Sequence, residues 1–342
     1  NGQVAIVTGG GRGLGREYAL LLGARGCKVV VNDLGGAYDG SGSPSQVADK
    51  VVTEIRDAGG EAVANYDSVE NGDRVVQKAV DTYGRLDIVI NNAGIVTPEP
   101  WRELSLDVWQ RTLDVNLTGA FSVMQAAWPI FVRQKYGRCI MTCSPALYGA
   151  GTVAYAAAKA ASIGFASSLQ FEAIKLKVDI KINTIIPAAL TRMTADLNRA
   201  FADAKRNRSK ASPVEATTSR SSALPAEPSA AAKEMMKKAM ELMSPDKVAP
   251  LVVWLCHSDC SEKAGIFEAG AGVYAQLRLQ RSRHLFLTLR EGIVGPASPE
   301  DIQAGLSTLH DFAGGDVPKS GDGTMGGDKL AMVMKHMKPS KL

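Results

Sequence analysis

Short runs of apolar, mostly β-branched residues recur along the first 190 or so positions of the chain, and stretches with mixed apolar and polar positions follow them. Gln3–Thr8 reads Gln-Val-Ala-Ile-Val-Thr, and Lys28–Asp33, Leu86–Ile90 and Ile140–Ser144 repeat the pattern. Such runs have the length and branching of parallel strands buried on both faces. Between them, segments such as Arg16-Glu-Tyr-Ala-Leu-Leu-Leu have helical character. Alternating strand and helix predicts an α/β fold, a doubly wound parallel sheet with helices on both faces. We place this domain at residues 1–275, with an inserted lid or loop at 197–243 and a C-terminal extension at 276–342.

The first strand runs directly into Thr8-Gly9-Gly10-Gly11-Arg12-Gly13-Leu14-Gly15 and then a helix. Strand, glycine turn and helix together form the setting of a Rossmann-type dinucleotide site. Glycines let the backbone approach a pyrophosphate, which sits at the positive end of the helix. The spacing is Gly9-x-x-x-Gly13-x-Gly15 rather than the more familiar Gly-x-Gly-x-x-Gly. The second strand ends in Asp33, about twenty residues on, where a carboxylate accepts hydrogen bonds from ribose hydroxyls. It would repel a 2′-phosphate, so the expected cofactor is NAD; the opposing reading has Arg12 or Arg16 holding that phosphate. Asn91-Asn92-Ala93-Gly94 closes another strand, and its short amides can satisfy backbone groups there.

Tyr155 and Lys159 stand four apart in Tyr-Ala-Ala-Ala-Lys, on one face of a helix. A free phenol has a pKa near ~10, too high for a base at neutral pH. A lysine charge and an oxidised pyridinium nearby would lower it. Tyr155 is therefore expected to act as base in oxidation and acid in reduction. Ser144 is the candidate for holding the substrate oxygen, with Thr142 as the alternative.

Thr8-Gly-x-x-x-Gly-x-Gly15, Asn91-Asn92-Ala93-Gly94, Asn116, Ser144 and Tyr155-x-x-x-Lys159 occur in the order of the short-chain dehydrogenase/reductase family, which the chain resembles. Val31-Asn-Asp-Leu-Gly-Gly36, Asn183-Thr-Ile-Ile-Pro187, Arg192-Met-Thr194 and Gly265-Ile-Phe-Glu-Ala-Gly-Ala-Gly272 are similar to one branch, the (3R)-hydroxyacyl-CoA dehydrogenase region of peroxisomal multifunctional enzymes of type 2. The resemblance implies oxidation of (3R)-3-hydroxyacyl-CoA to 3-ketoacyl-CoA with NAD. It implies that Lys159 binds the nicotinamide ribose and that Asn116 holds a water linking Lys159 to solvent. It further implies that Asp67, Ser68 and Val69 meet the adenine, that Asn92, Ala93 and Gly94 flank the adenosine, and that Pro187 and Thr191 approach the carboxamide. The chain departs from the family in a shorter Ser144–Tyr155 spacing, with Pro145 directly after the serine.

Composition adds bounds. The chain has 342 residues, 45% hydrophobic, enough for a large core. Its net charge of +4 fits acidic substrates such as CoA esters, and neither a basic patch nor an aromatic motif points to nucleic acid. No stretch is expected to span a membrane. No signal peptide is expected, and the five cysteines read as reduced core residues rather than metal ligands. In the insertion, Arg206, Arg208 and Lys210 are either CoA-phosphate contacts or a solvated loop. Ser340-Lys341-Leu342 matches a tripeptide that an import receptor reads, which points to a peroxisome or a glycosome-like organelle. A homodimer is expected from the resemblance. Steroid 17β-hydroxyl or 3-oxoacyl-thioester chemistry, a silent nucleotide-binding protein and an assembly module stay open as alternatives.

Overall fold

The computed structural model describes residues 2–37, 39, 41, 46–149, 152–197, 199, 234–235, 238, 240–282, 298–313 and 315. The basic positions of the insertion and the terminal Ser-Lys-Leu lie outside them. The chain divides into two compact units, Asn1–Gln276 and Leu277–Leu342.

Unit one alternates as its apolar runs dictate: β1 (Val4–Thr8), α1 (Gly13–Ala24), β2 (Lys28–Asn32), α2 (Val47–Asp57), β3 (Glu61–Asn65), α3 (Gly72–Tyr83) and β4 (Ile88–Asn91). After β4 come α4 (Leu106–Leu113), α5 (Gly119–Gln134), β5 (Tyr136–Thr142), α6 (Val153–Leu176), β6 (Asp179–Ala188), α7 (Ala249–Leu255), β7 (Ile266–Gly270) and β8 (Val273–Leu277). The sheet runs β3-β2-β1-β4-β5-β6-β7-β8, with parallel pairing from β3 through to β7. A two-residue turn, Ala271–Gly272, leads from β7 into β8 with both residues at positive φ. The fold is the mostly parallel Rossmann-type sheet that the alternation predicts.

Side chains that alternate along the strands supply two cores. Ala5, Val7, Val29, Val31, Ile88, Ile90, Ile140 and Ile185 meet α1, α2 and α7 on one face. Val4, Ile6, Val30, Val89, Cys139, Met141, Ile180 and Ile182 meet α3, α5 and α6 on the other. Arg138, fully buried, ties β5 to β6 through Asp179 Oδ2 at 2.9 Å and the Asp179 carbonyl at 2.9 Å. All five cysteines are free and buried.

Because β1 pairs with β2 on one side and β4 on the other, the strand order reverses at β1. A crevice opens there beyond the carboxyl ends of the strands, where open α/β sheets bind ligands. The glycine turn follows β1 and the Asn-Asn-Ala-Gly segment ends β4, so the topology brings both to its walls.

Two helical features stand out. Leu106–Gln134 forms one continuous helix long and apolar enough to cross a membrane by length and composition. Val123, Met124, Ala127 and Phe131 bury its inner face against the sheet, which makes it a core helix. Within it, Asn116 lies in Asp114–Thr118, a wider π-helical segment between α4 and α5. Such single-turn expansions recur at functional sites.

In unit two, α8 (Pro299–Ala304) starts with a reciprocal cap between Ser298 and Asp301, and α9 (Leu306–Leu309) follows.

Candidate active site

The crevice encloses about 640 Å3. Of the residues picked out from the sequence, Gly9, Arg12, Gly13, Leu14, Asp33, Asp67, Ser68, Val69, Asn92, Ala93, Gly94, Ser144, Tyr155, Lys159, Pro187 and Thr191 line it, as does the alternative Thr142; Gly15, Asn116 and the alternative Arg16 do not.

The glycine turn is tied to β4 by hydrogen bonds. Thr8 Oγ1 accepts from the backbone N–H of Asn92 and of Ala93, each at 3.0 Å. Asn92 Nδ2 donates to the carbonyls of Thr8 at 3.0 Å and Gly9 at 3.2 Å. Gly15 does its work inside the turn: a Cβ there would lie 2.2 Å from the Gly9 carbonyl oxygen. The N-terminus of α1 opens into the crevice with no acidic side chain in its first turn. Its positive end is therefore free to favour an anion.

Asp33 accepts from Gly11 N at 2.9 Å and Gly35 N at 2.8 Å. Asp67 is held by a chain of amides that sequence reasoning missed. Asn32 Nδ2 donates to Asn65 Oδ1 at 2.7 Å and to the Asp67 carbonyl at 2.8 Å, and Asn65 Nδ2 donates to Asp67 Oδ2 at 2.7 Å. The available signal was an asparagine at the end of each of two adjacent strands. Ser68 caps the short turn that starts at Val69. Arg12 reaches the Gly36 carbonyl at 3.0 Å, and Arg192 reaches it at 3.4 Å. Burial lowers the Arg12 pKa, the nearby Arg192 charge lowers it further, and Asp33 works against both. Arg16, the other candidate for a 2′-phosphate, instead faces Glu17 and Glu54 and does not line the crevice.

At the opposite end, α6 places Tyr155 and Lys159 one turn apart, with Lys159 Nζ 5.7 Å from the Tyr155 ring centre. Lys159 is buried. A Cβ on Gly94 would lie 2.4 Å from Asn116 Oδ1 and 3.2 Å from Lys159 Nζ, so only glycine lets these three groups converge. Asn116 Nδ2 donates to the carbonyls of Ile95 at 2.9 Å and Thr112 at 2.8 Å, while its Oδ1 is buried without a partner. Ser144 follows β5 and caps a 3-10 turn over Pro145–Tyr148, accepting from Ala146 N at 3.2 Å. The far end of that turn is fastened to β7 by a short hydrogen bond from the Tyr148 hydroxyl to Glu268.

The expected acidic phenol is not what this geometry gives. Burial raises the Tyr155 pKa, and the Ser144 hydroxyl only partly opposes it. Burial also lowers Lys159 to about 8. Removing water penalises both charged forms. The cationic pyridinium, on which the expectation also rested, belongs to the cofactor rather than to the chain.

The residues present fit a nicotinamide dinucleotide. The glycine cradle, the unopposed helix end and the carboxylate closing β2 match its phosphates and ribose, and unpaired polar atoms remain at the reacting end. Among the described residues, no group of three or more His, Cys, Asp or Glu side chains could hold a metal. Beyond the reacting groups, Leu190, Met193, Leu197 and Met243 add an apolar wall. Met193 and Leu197 lie on a short helical stretch, and the Leu190 N–H donates to the Met243 carbonyl at 2.7 Å, so the wall joins positions far apart in the sequence.

Comparison with known proteins agrees with this geometry. The family model described as short chain dehydrogenase matches residues 3–202. Peroxisomal multifunctional enzyme type 2 of Mus musculus is 39% identical over 329 residues, covering 96% of this chain and 39% of that protein. The structure of full-length peroxisomal multifunctional enzyme type 2 from Drosophila melanogaster superposes with a TM-score of 0.70 at 30% identity, covering 99% of this chain and 51% of the other. A short chain dehydrogenase from Mycobacterium paratuberculosis bound to NAD gives a TM-score of 0.63 at 25% identity, covering 80% of this chain and 97% of that one. The chain thus spans about half or less of these two multifunctional relatives.

Proposed function

This chain belongs to the short-chain dehydrogenase family, and from that premise we propose that it oxidises (3R)-3-hydroxyacyl-CoA thioesters to 3-ketoacyl-CoA with NAD. Family membership makes it an oxidoreductase of the nicotinamide-dependent kind. The narrower substrate reading draws on its identity to peroxisomal multifunctional enzymes. The observation that carries the chemistry is the convergence of Tyr155, Lys159, Ser144 and Asn116 at one end of a crevice whose other end is a glycine cradle.

A bound nicotinamide supplies the hydride acceptor. The protein does the rest. Ser144 holds the substrate oxygen against the Tyr155 hydroxyl. Tyr155 takes the hydroxyl proton as general base, and in the reverse direction it returns that proton. Lys159 binds ribose and stabilises the phenolate, while Asn116 Oδ1 accepts from a water that carries the proton onward from Lys159. Since burial holds the free phenol neutral, kcat/KM for oxidation rises with pH. Gly9, Arg12, Gly13, Leu14 and Gly15 hold the pyrophosphate. Asp33 takes the adenosine ribose and selects NAD over NADP. Asp67, Ser68 and Val69 bound the adenine, with Asn92, Ala93 and Gly94 beside it, and Pro187 and Thr191 face the carboxamide. Leu190, Met193, Leu197 and Met243 meet the acyl chain.

We place the enzyme in the peroxisome, with relatives named as peroxisomal in support. We also read it as a homodimer. In support, α6 covers the sheet with Ala158, Ala166 and Ala173 yet exposes Val153, Ile174 and Leu176, and Phe121 of α5 packs edge-on against Phe165 at 6.4 Å on the outer side. A helix apolar all round is covered on both faces; a monomer in light scattering at micromolar concentration would contradict the dimer.

The deciding experiment measures NADH formation from R and S 3-hydroxyacyl-CoAs of several chain lengths, with estradiol and NADP as comparators. Turnover of the R series with NAD is expected. Turnover of the steroid alone, or preference for NADP, would sink the substrate or the cofactor assignment respectively.

A further inference from the structure

Thr142 closes β5 and lines the crevice. It is only 7% exposed, and its Oγ1 is buried with no hydrogen-bond partner. Leaving a buried hydroxyl unpaired costs folding free energy, so a group outside the chain is expected to meet it.

Its place in the sheet says which group. Side chains alternate along a strand, so Thr142 shares the α1 face with Ile140. It pairs in register with Ile185, and Pro187 lies two positions further along β6 on the crevice wall. On the β4 side, the Asn92 amide is already spent on the Thr8 and Gly9 carbonyls. Thr142 therefore stands between the glycine turn and the 187–191 stretch, two residues before Ser144. Asp33 follows β2, three strands away from β5. At about 4.8 Å per strand, the adenosine end is out of reach.

We propose that the Thr142 hydroxyl is a further cofactor-binding group that hydrogen-bonds the carboxamide of the nicotinamide end. A hydroxyl donates and accepts, and a carboxamide offers both complements. The inference rests on the nicotinamide cofactor of the proposed reaction.

The test compares NAD+ with ADP-ribose, which lacks the nicotinamide ring, as titrants of wild-type protein, Thr142→Val and Thr142→Ser by calorimetry. Valine is expected to weaken NAD+ binding about fivefold to tenfold. It should leave ADP-ribose affinity unchanged, and serine should restore NAD+. The ligand-free Tm of the valine variant should equal or exceed that of the wild type, because an unpaired hydroxyl is gone. Equal loss for both ligands, unchanged NAD+ affinity, or a lowered ligand-free Tm would each overturn the proposal. Thr142→Ala repeats the comparison of ligands with a smaller side chain. Wild-type protein that binds ADP-ribose no tighter once nicotinamide is attached, and reduces no NAD+, would break the cofactor reading itself.

Discussion

The two ends of the crevice are built on opposite terms. At the glycine end the polar groups answer one another: Thr8 with Asn92 and Ala93, Asp33 with two backbone amides, and Asn32 and Asn65 with Asp67. At the reacting end Asn116 Oδ1 and Thr142 Oγ1 have no partner, and an ammonium is buried. One end is complete before anything binds; the other carries costs that a ligand is placed to relieve. Binding sites and catalytic sites differ in this way, since groups arranged for a reacting complex are badly served without it.

Replacing Tyr155 with phenylalanine should split the two ends most sharply. Turnover should fall by about 10²–10⁴-fold, with the dinucleotide Kd nearly unchanged in fluorescence titration. Unaltered turnover would remove the proposed base.

Lys159→Met should abolish most turnover yet stabilise the cofactor-free protein. Burial depresses the folded pKa of Lys159 to about 8 from 10.5, so the unfolded chain binds more protons between those values. Stability from this group therefore rises with pH across that window, and the cost of the buried charge is complete below it. At pH 7 the variant should gain on the order of 2 kcal/mol, and the gain should fade as pH climbs from about 8 towards 10.5. Denaturant melts at pH 7 and pH 10 measure both; a destabilised variant at pH 7 would contradict the cost assigned to this end.

Gly15→Ala strikes the self-satisfied end. Its Cβ would meet the Gly9 carbonyl oxygen at 2.2 Å and Asn92 Nδ2 at 2.7 Å. Loss of about 1–3 kcal/mol of stability is expected, with weakened dinucleotide binding. A variant that melts and binds like the wild type would show that this turn has slack.

The sheet was legible because β-branched runs such as Val29–Val31 and Ile88–Ile90 have no other stable use than a strand covered on both faces. The placement of Tyr155, Lys159, Gly9 and Gly13 on the crevice wall was legible because each motif's spacing lies along one element. The amide chain through Asn32 and Asn65 was not, because it joins neighbouring strands whose register only the fold sets. Nor was the direction of the Tyr155 shift, which depends on how much water the finished crevice excludes. Composition alone does not tell Leu106–Gln134 from a membrane span, because burial inside a large core and burial in lipid demand similar composition.

The wide turn at Asp114–Thr118 separates two duties within one rod. The stretch before it leans on α6, and the stretch after it lies against α3 and the sheet. A uniform winding would lock both to a single phase. With the extra slack between them, the residues serving chemistry and those serving the core can each be rewritten without rotating the other out of place.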